Sequence, residues 1–342
     1  MPSAVVIGGT GLIGRAVARR MLSVGWQVTV TGRGRRRMPG DLAAAGVRLV
    51  VADRDDPAAL AAAVGGGCDL LVDCICYTAA QARLVLPLVR AAGCAVMVSS
   101  KAVYVDDAGN HANSASPPRF AGPVTERQPT VEPGDLPYDS PEGYGANKVA
   151  AEHVLLDSGA PVTVLRASKV HGEAAAPARE WYFVKRVLDR RPVLLLAGRG
   201  TGADHPSAAV NIAALVHTVA DRPGRRILNA ADPDAPDGLT IARAIAAATG
   251  HTWEEVLLDE DAPAHLGRHP WDRRPPVVLD TGAARALGYR PVGDYAATVT
   301  GTTGWLVDQA RRHPLWTPPG IDRELAGRWF DYAEEDAWLP AG

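Results

Sequence analysis

The sequence predicts an α/β fold: a doubly wound parallel sheet with helices on both faces, followed by a smaller mixed C-terminal lobe. Three observations predict it. Short apolar runs alternate with helix-spaced patterns through the first hundred residues. The strand-like runs are nearly continuous in apolar residues rather than alternating, so both sheet faces are buried, as in a parallel sheet. A glycine-rich turn joins the first strand to the first helix.

In order, the strands fall at 4–7, 28–30, 47–51, 70–75 and 95–98, and the helices between them at 12–24, 57–64 and 79–92. From 105 to 143 the pattern lapses into Pro, Gly, Ser and Asp, as in "GNHANSASPPRFAGP". A loop this long in a compact domain is usually functional. A helix at 144–156 and a buried strand at 162–165 complete a first domain over 1–172. Beyond it, helices at 180–190, 210–220, 240–249 and 296–312 mix with short strands at 193–196 and 226–229. This half, 173–342, reads as a substrate lobe, with a segment at about 205–230 returning to the first domain. The helix-like tail, 323–339, carries Trp329, Phe330, Tyr332 and Trp338 and is expected to pack on the body or on a sister subunit.

The composition is that of an ordinary globular protein, and a net charge of -2 gives no electrostatic reason to expect nucleic acid or an anionic membrane as partner. No apolar run reaches the ~18 residues of a membrane span, and the chain opens on a strand rather than a basic leader, so a cytoplasmic location is expected. Cys68, Cys74, Cys76 and Cys94 lack zinc-site spacing and read as small buried apolar residues in a reducing compartment. No His stands at metal-ligand spacing, and no metal is expected.

The first strand runs into "GGTGLIG", with Gly8, Thr10, Gly11, Leu12, Ile13 and Gly14. A tight strand-to-helix turn needs residues without a Cβ. Glycine also lets the backbone approach a pyrophosphate, to which the helix N-terminus offers free N–H groups and a positive dipole end. The context is that of a Rossmann dinucleotide site. The second strand ends in "VTGRGRRR", where an NAD-specific site usually carries an acid for the ribose 2′-hydroxyl. Arg33, followed by Arg35, suits a 2′-phosphate instead, so NADP is expected ahead of NAD. Asp53, closing the third strand, is positioned for the adenine amino group or for capping the next helix, a task that Asp55 or Asp56 can also perform.

Ser100 ends the fifth strand, and "YGANK" follows the long loop. Tyr144 and Lys148, four apart, share a helix face. An ammonium beside a phenol favours the phenolate, and such a pair can exchange a proton with a substrate hydroxyl as hydride moves. Ser100 would hydrogen-bond the same oxygen.

With "GGTGLIG", "SSKAVY", "YGANK", "LRASKVHG" and "LGYRPVGDYAATVTGTTGWL" assembled in this order, the chain resembles the extended branch of the short-chain dehydrogenase/reductase superfamily over most of its length. The resemblance implies a catalytic Ser100, Tyr144 and Lys148, with Lys148 on the nicotinamide ribose. Cys74 to Tyr77 replace the small-residue turn that lines the nicotinamide, so Cys74 and Cys76 join the cofactor contacts, with Ala167. Three departures from the pattern matter. Lys101 and Ala102 replace the Asp-Glu pair of sugar dehydratases, Asp204 falls near the position where members that bind a nucleotide-sugar diphosphate often carry an Arg, and Val105 replaces a glycine. These departures argue against 4,6-dehydration and against a nucleotide sugar. Lys101, His171 and Trp181 are the candidate substrate contacts, each with a plain packing or solvent role as its alternative. Glu126 is placed to pin the long loop.

The preferred reading is an NADP(H)-dependent reductase of a carbonyl, or oxidase of the alcohol, in a small natural-product or sugar-like substrate. Its alternatives are an NAD(P)-dependent epimerase that oxidises and re-reduces one carbon, with a nucleotide sugar among its candidate substrates, and a non-catalytic dinucleotide-sensing regulator. A homodimer paired through helices is compatible with the resemblance.

Overall fold

A computed structural model of the protein describes residues 1–339. The elements run β1 (Ser3–Ile7), α1 (Leu12–Ser23), β2 (Gln27–Gly32), α2 (Gly40–Ala44), β3 (Arg48–Val51), α3 (Pro57–Val64), β4 (Cys68–Asp73), α4 (Ala79–Ala91), β5 (Ala92–Ser100), α5 (Pro141–Leu156), β6 (Val162–Ala167), β7 (Lys169–His171), α6 (Trp181–Leu188) and β8 (Val193–Leu196). They continue with β9 (Pro206–Ala208), α7 (Ala209–Asp221), β10 (Arg226–Ala230), α8 (Gly238–Thr249), β11 (Glu254–Leu257), α9 (Gly282–Ala286), α10 (Tyr295–Arg312), α11 (Arg323–Trp329) and α12 (Tyr332–Trp338).

Two compact units form. The first comprises Met1–Ser168, Ala209–Ala231 and Leu279–Val292; the second comprises Lys169–Ala208, Asp232–Val278 and the chain from Gly293 onward. The segment Leu279–Val292 is assigned to the C-terminal lobe by sequence. In the structure it joins the first unit, where α9 packs by β10 and Asn229 Nδ2 donates to the Asp280 carbonyl at 2.9 Å.

In the first unit seven parallel strands lie in the order β10-β6-β5-β4-β1-β2-β3. Val5, Ile7, Leu71, Met97 and Val164 share one core with residues of α3, α4 and α5. The alternate residues Val6, Leu70, Val72, Val96 and Val98 are buried as well, on the side of α1 and α7. Burial on both faces is why these strands read as continuous apolar runs. Helix starts follow local chemistry. The Asp56 carboxylate accepts from the amides of Ala58 and Ala59 ahead of α3, Thr78 caps α4, and Ser140 with Pro141 opens α5 three residues earlier than the sequence suggests.

The order places β1 between β4 and β2, so the chain reverses direction across the sheet at β1/β4. Open α/β sheets bind ligands at such a switch point, outside the carboxyl ends of the strands. The expected fourth strand stops at Asp73 rather than at 75. The Asp73 carboxylate there accepts from the Ile75 amide at 2.9 Å and pairs with Arg54 at 2.6 Å, which turns the chain.

The second unit holds two small parallel sheets, β8 with β11 and β7 with β9. Helices α6, α8 and α10 pack on one another. The single tail helix expected over 323–339 is two: the first ends with Phe330 as its C-cap, and Asp331 caps the next through the Glu334 amide.

Candidate active site

Glycine sets the turn after β1. Gly8 has a positive φ of 79°. A Cβ on Gly14 would stand 2.5 Å from the Gly8 carbonyl oxygen and from the Gly9 Cα, so strand and helix approach closely only because both lack side chains. Gly11 caps α1 with no side-chain hydrogen bond, which leaves the first N–H groups of the helix for a ligand. Gly8, Thr10 and Gly11 line a groove of about 630 Å³, within the usual range for ligand sites. Its other walls come from the ends of β2, β3 and β4: Thr31, Gly32, Arg33, Arg35, Arg36, Asp53, Arg54, Asp55, Ile75 and Tyr77, with Gln81 and Tyr138.

The groove is electrically divided. Arg54 is committed, buried against Asp73. Arg33, Arg35 and Arg36 have no carboxylate partner among the described residues. Asp53 does not cap α3. Its Oδ1 accepts from the Asp55 amide at 3.1 Å, while Asp56 caps the helix. Asp53 therefore stays on the groove wall.

Ser100 ends β5 with its Oγ accepting from the Ala102 amide at 3.1 Å, so the hydroxyl proton has another direction available. Tyr144 and Lys148 stand one turn apart on α5. Lys148 is buried, and its Nζ donates to the carbonyls of Cys76 at 2.7 Å and Val98 at 3.0 Å. The Tyr77 ring covers the ammonium at 4.3 Å, stacks on Tyr138 at 5.2 Å and lies 6.5 Å from the Tyr144 ring. Burial first, then the neighbouring Tyr144, pushes the Tyr77 phenol up to about 12, so it stays protonated at neutral pH. Burial likewise raises both thiols of this turn, that of Cys76 to about 12. The Cys76 side chain lies in the hydrophobic core, and its contribution here is the carbonyl that holds Lys148. Ala167 ends β6 in register with Ser100.

The residues read as cofactor-binding and catalytic thus share the first unit. Half-buried Lys101, just after Ser100, is there too. His171 and Trp181 belong to the second unit. His171 is 1% exposed, with Nε2 2.9 Å from an Asp232 carboxylate oxygen. Trp181, also buried, packs edge-on against Trp316 and lines an aromatic groove of about 370 Å³ with Leu188 and Phe330. Asp204 is taken by Lys169 at 2.6 Å. Glu126 does pin the long loop: its carboxylate accepts from the Asn229 amide of β10 at 2.8 Å. Sequence reasoning gave Tyr77 no role beyond its turn and gave Tyr138 none. Tyr138 sits in a loop without periodicity, where only its position two residues before the α5 cap is a signal.

The family described as NAD dependent epimerase/dehydratase matches residues 4–204. No match was found among curated proteins. Similar solved structures include a dTDP-glucose 4,6-dehydratase from Bacillus anthracis str. Ames in complex with NAD, at 15% identity over 91% of this chain and 98% of that chain, with a TM-score of 0.67. A UDP-glucose 4-epimerase from Thermus thermophilus in complex with NAD has 19% identity over 89% and 99%, with a TM-score of 0.63. A UDP-glucuronic acid 4-epimerase from Bacillus cereus, solved with UDP-glucuronic acid and NAD, has 15% identity over 90% and 99%, with a TM-score of 0.64. At these identities the likeness shows the fold. No helix among the described residues is long and apolar enough to cross a membrane.

Proposed function

Since this chain belongs to the NAD dependent epimerase/dehydratase family, enzymes of the extended short-chain dehydrogenase/reductase type, we propose that it is an NADP-dependent oxidoreductase acting on a carbonyl, or the matching alcohol, of a small natural-product or sugar-like molecule. The observation that carries the cofactor choice is the set of arginines without carboxylate partners, Arg33, Arg35 and Arg36, on the same groove as the Gly8–Gly11 turn. A 2′-phosphate needs such partners, and no acid stands at the end of β2 to favour a bare ribose.

The residues present fit a dinucleotide. The glycine turn and the uncapped α1 N-terminus would hold its pyrophosphate, Arg33 and Arg35 its 2′-phosphate, and Asp53 its adenine amino group. When bound, the nicotinamide supplies or accepts the hydride. The chain's own part is proton transfer and orientation. Tyr144 protonates the developing alkoxide, Ser100 donates a hydrogen bond to the same oxygen, and Lys148 supplies positive charge and holds the ribose. Lys101, beside Ser100, would meet an anionic substrate group. Lys101 and Ala102 follow Ser100 in place of an acid pair, which disfavours water elimination of the dehydratase kind.

A second reading, epimerisation at one carbon, is favoured by the family itself and uses the same residues. Net consumption of NADPH separates the two, because an epimerase consumes none. The primary test is titration of cofactor-stripped protein with NADPH and NADH. Tighter NADPH binding, weakened about tenfold or more in Arg33→Ala, is expected. Equal or tighter NADH binding overturns the arginine assignment and moves weight to the epimerase.

A further inference from the structure

The Lys148 ammonium has three donors. Two go to the carbonyls of Cys76 and Val98, and the Tyr77 ring lies over the nitrogen at 4.3 Å. A ligand oxygen that reaches Lys148 competes with one of these three neighbours. The carbonyls are fixed: Val98 lies within β5, and Cys76 lies in a turn whose next amide, that of Tyr77, donates to Gln81 Oε1 at 2.8 Å. The Tyr77 ring, by contrast, is a half-buried side chain able to change rotamer. It is also the link between two places. It lines the groove that starts at Gly8 and Arg33, and it stacks on Tyr138, at 20° between planes. Tyr138 is itself 45% exposed and sits in the long segment before α5.

We infer that Tyr77 is a displaceable cap on Lys148: the nicotinamide half of a dinucleotide takes the place of its ring, and the departing ring breaks the stack on Tyr138 and loosens residues 132–140, which then keep only their ties to α5, the Gly134 amide on the Ala146 carbonyl and Asn147 Nδ2 on the Leu136 carbonyl. This rests on the dinucleotide reading of the groove. It makes Tyr77 a positioning residue that couples occupation of the groove to the segment leading into Tyr144. A substrate would then meet a loosened loop only after the cofactor is in place.

Hydrogen exchange on the full chain tests it, with NADP⁺ and with adenosine 2′,5′-bisphosphate, which lacks the nicotinamide half. Saturating NADP⁺ is expected to raise exchange of 132–140 several-fold, and the bisphosphate is expected to bind without doing so. In Tyr77→Ala the segment should exchange fast from the outset, with no further response. Tyr77→Phe, which keeps the ring, should behave as the wild type. Tyr138→Ala, a change at an exposed side chain, should reproduce the loosened segment without touching Lys148. Unchanged or slowed exchange at saturating NADP⁺, or equal responses to both ligands, overturns the inference and leaves the cofactor assignment standing. Lack of saturable binding of either ligand by folded protein overturns both.

Discussion

At the scale of single residues, the proposed mechanism separates groups that transfer protons from groups that hold them in place. Tyr144→Phe removes the proposed proton donor while leaving the ring, so kcat should fall about 10²-fold or more with NADPH affinity unchanged, as stopped-flow and titration would show. An affinity loss of similar size would instead make Tyr144 a cofactor contact. A second residue-scale expectation concerns acid sensitivity. His269 is buried in the second unit with neither ring nitrogen hydrogen-bonded, and burial lowers its pKa to about 4. In the unfolded chain a His titrates near 6.5. Between these values the unfolded chain binds the extra proton, so stability is full above about 6.5 and is lost as pH falls towards about 4, by on the order of 3 kcal/mol. His269→Phe, beside Tyr182 and Phe183, should flatten this limb of a melting-temperature profile measured from pH 7 to pH 4. A parallel profile would assign the acid limb to carboxylates. The sequence showed Tyr144, Lys148 and the arginines because each belongs to a motif or a charge run. It did not show His269 as a buried neutral group, because its surroundings come from distant elements.

At the scale of elements, the strand–helix turn at Gly14 and the buried pair behind Ser99 are the places where one atom matters most. In Gly14→Ala the new Cβ meets backbone at 2.5 Å and nothing flexible can yield. Loss of dinucleotide binding and a lowered melting temperature are expected, and normal binding would show that α1 can shift. The Glu152 carboxylate on α5 takes the Ser99 hydroxyl of β5 at 2.5 Å and the Arg166 guanidinium of β6 at 2.6 Å, all buried. Arg166 lies over the Tyr104 ring, whose hydroxyl donates to Asn229 on β10. Glu152→Gln leaves a buried guanidinium without its counter-charge and should cost about 3–5 kcal/mol in denaturant unfolding. The elements that were legible in the sequence are those with this kind of internal consistency. β1, β4 and β5 contain nearly continuous apolar runs, and α3 has its Asp-Pro start. The short β7, β9 and β11 were not legible. They have three or four residues each, and pairing in a two-stranded sheet, rather than local pattern, defines them. The break at Asp331 was missed because the aromatic residues on both sides keep a helix-like spacing.

At the scale of the whole molecule, each unit carries its own core: Val5, Leu71, Met97 and their neighbours in the first, and Leu195, Leu258 and Leu266 in the second. Every residue lining the groove that starts at Gly8 belongs to the first. A ligand that binds only the folded form stabilises it by mass action, about 2.7 kcal/mol at a hundredfold excess over Kd. That energy acts on whatever unfolds together with the groove. Saturating NADP⁺ should therefore slow exchange in β1, β4 and β5, the strands at the switch point, while 132–140 goes the other way and β8 and β11 keep their rates. Equal slowing in β8 and β11 would mean that the two units open as one cooperative body, with the chain crossing between them at Ser168, Ala208, Ala231, Val278 and Val292 transmitting the linkage. The number of crossings makes the measurement informative. The sequence reading has the chain return once to its first unit, near 205–230. The chain returns a second time over Leu279–Val292, and each added crossing gives local unfolding another route to become global.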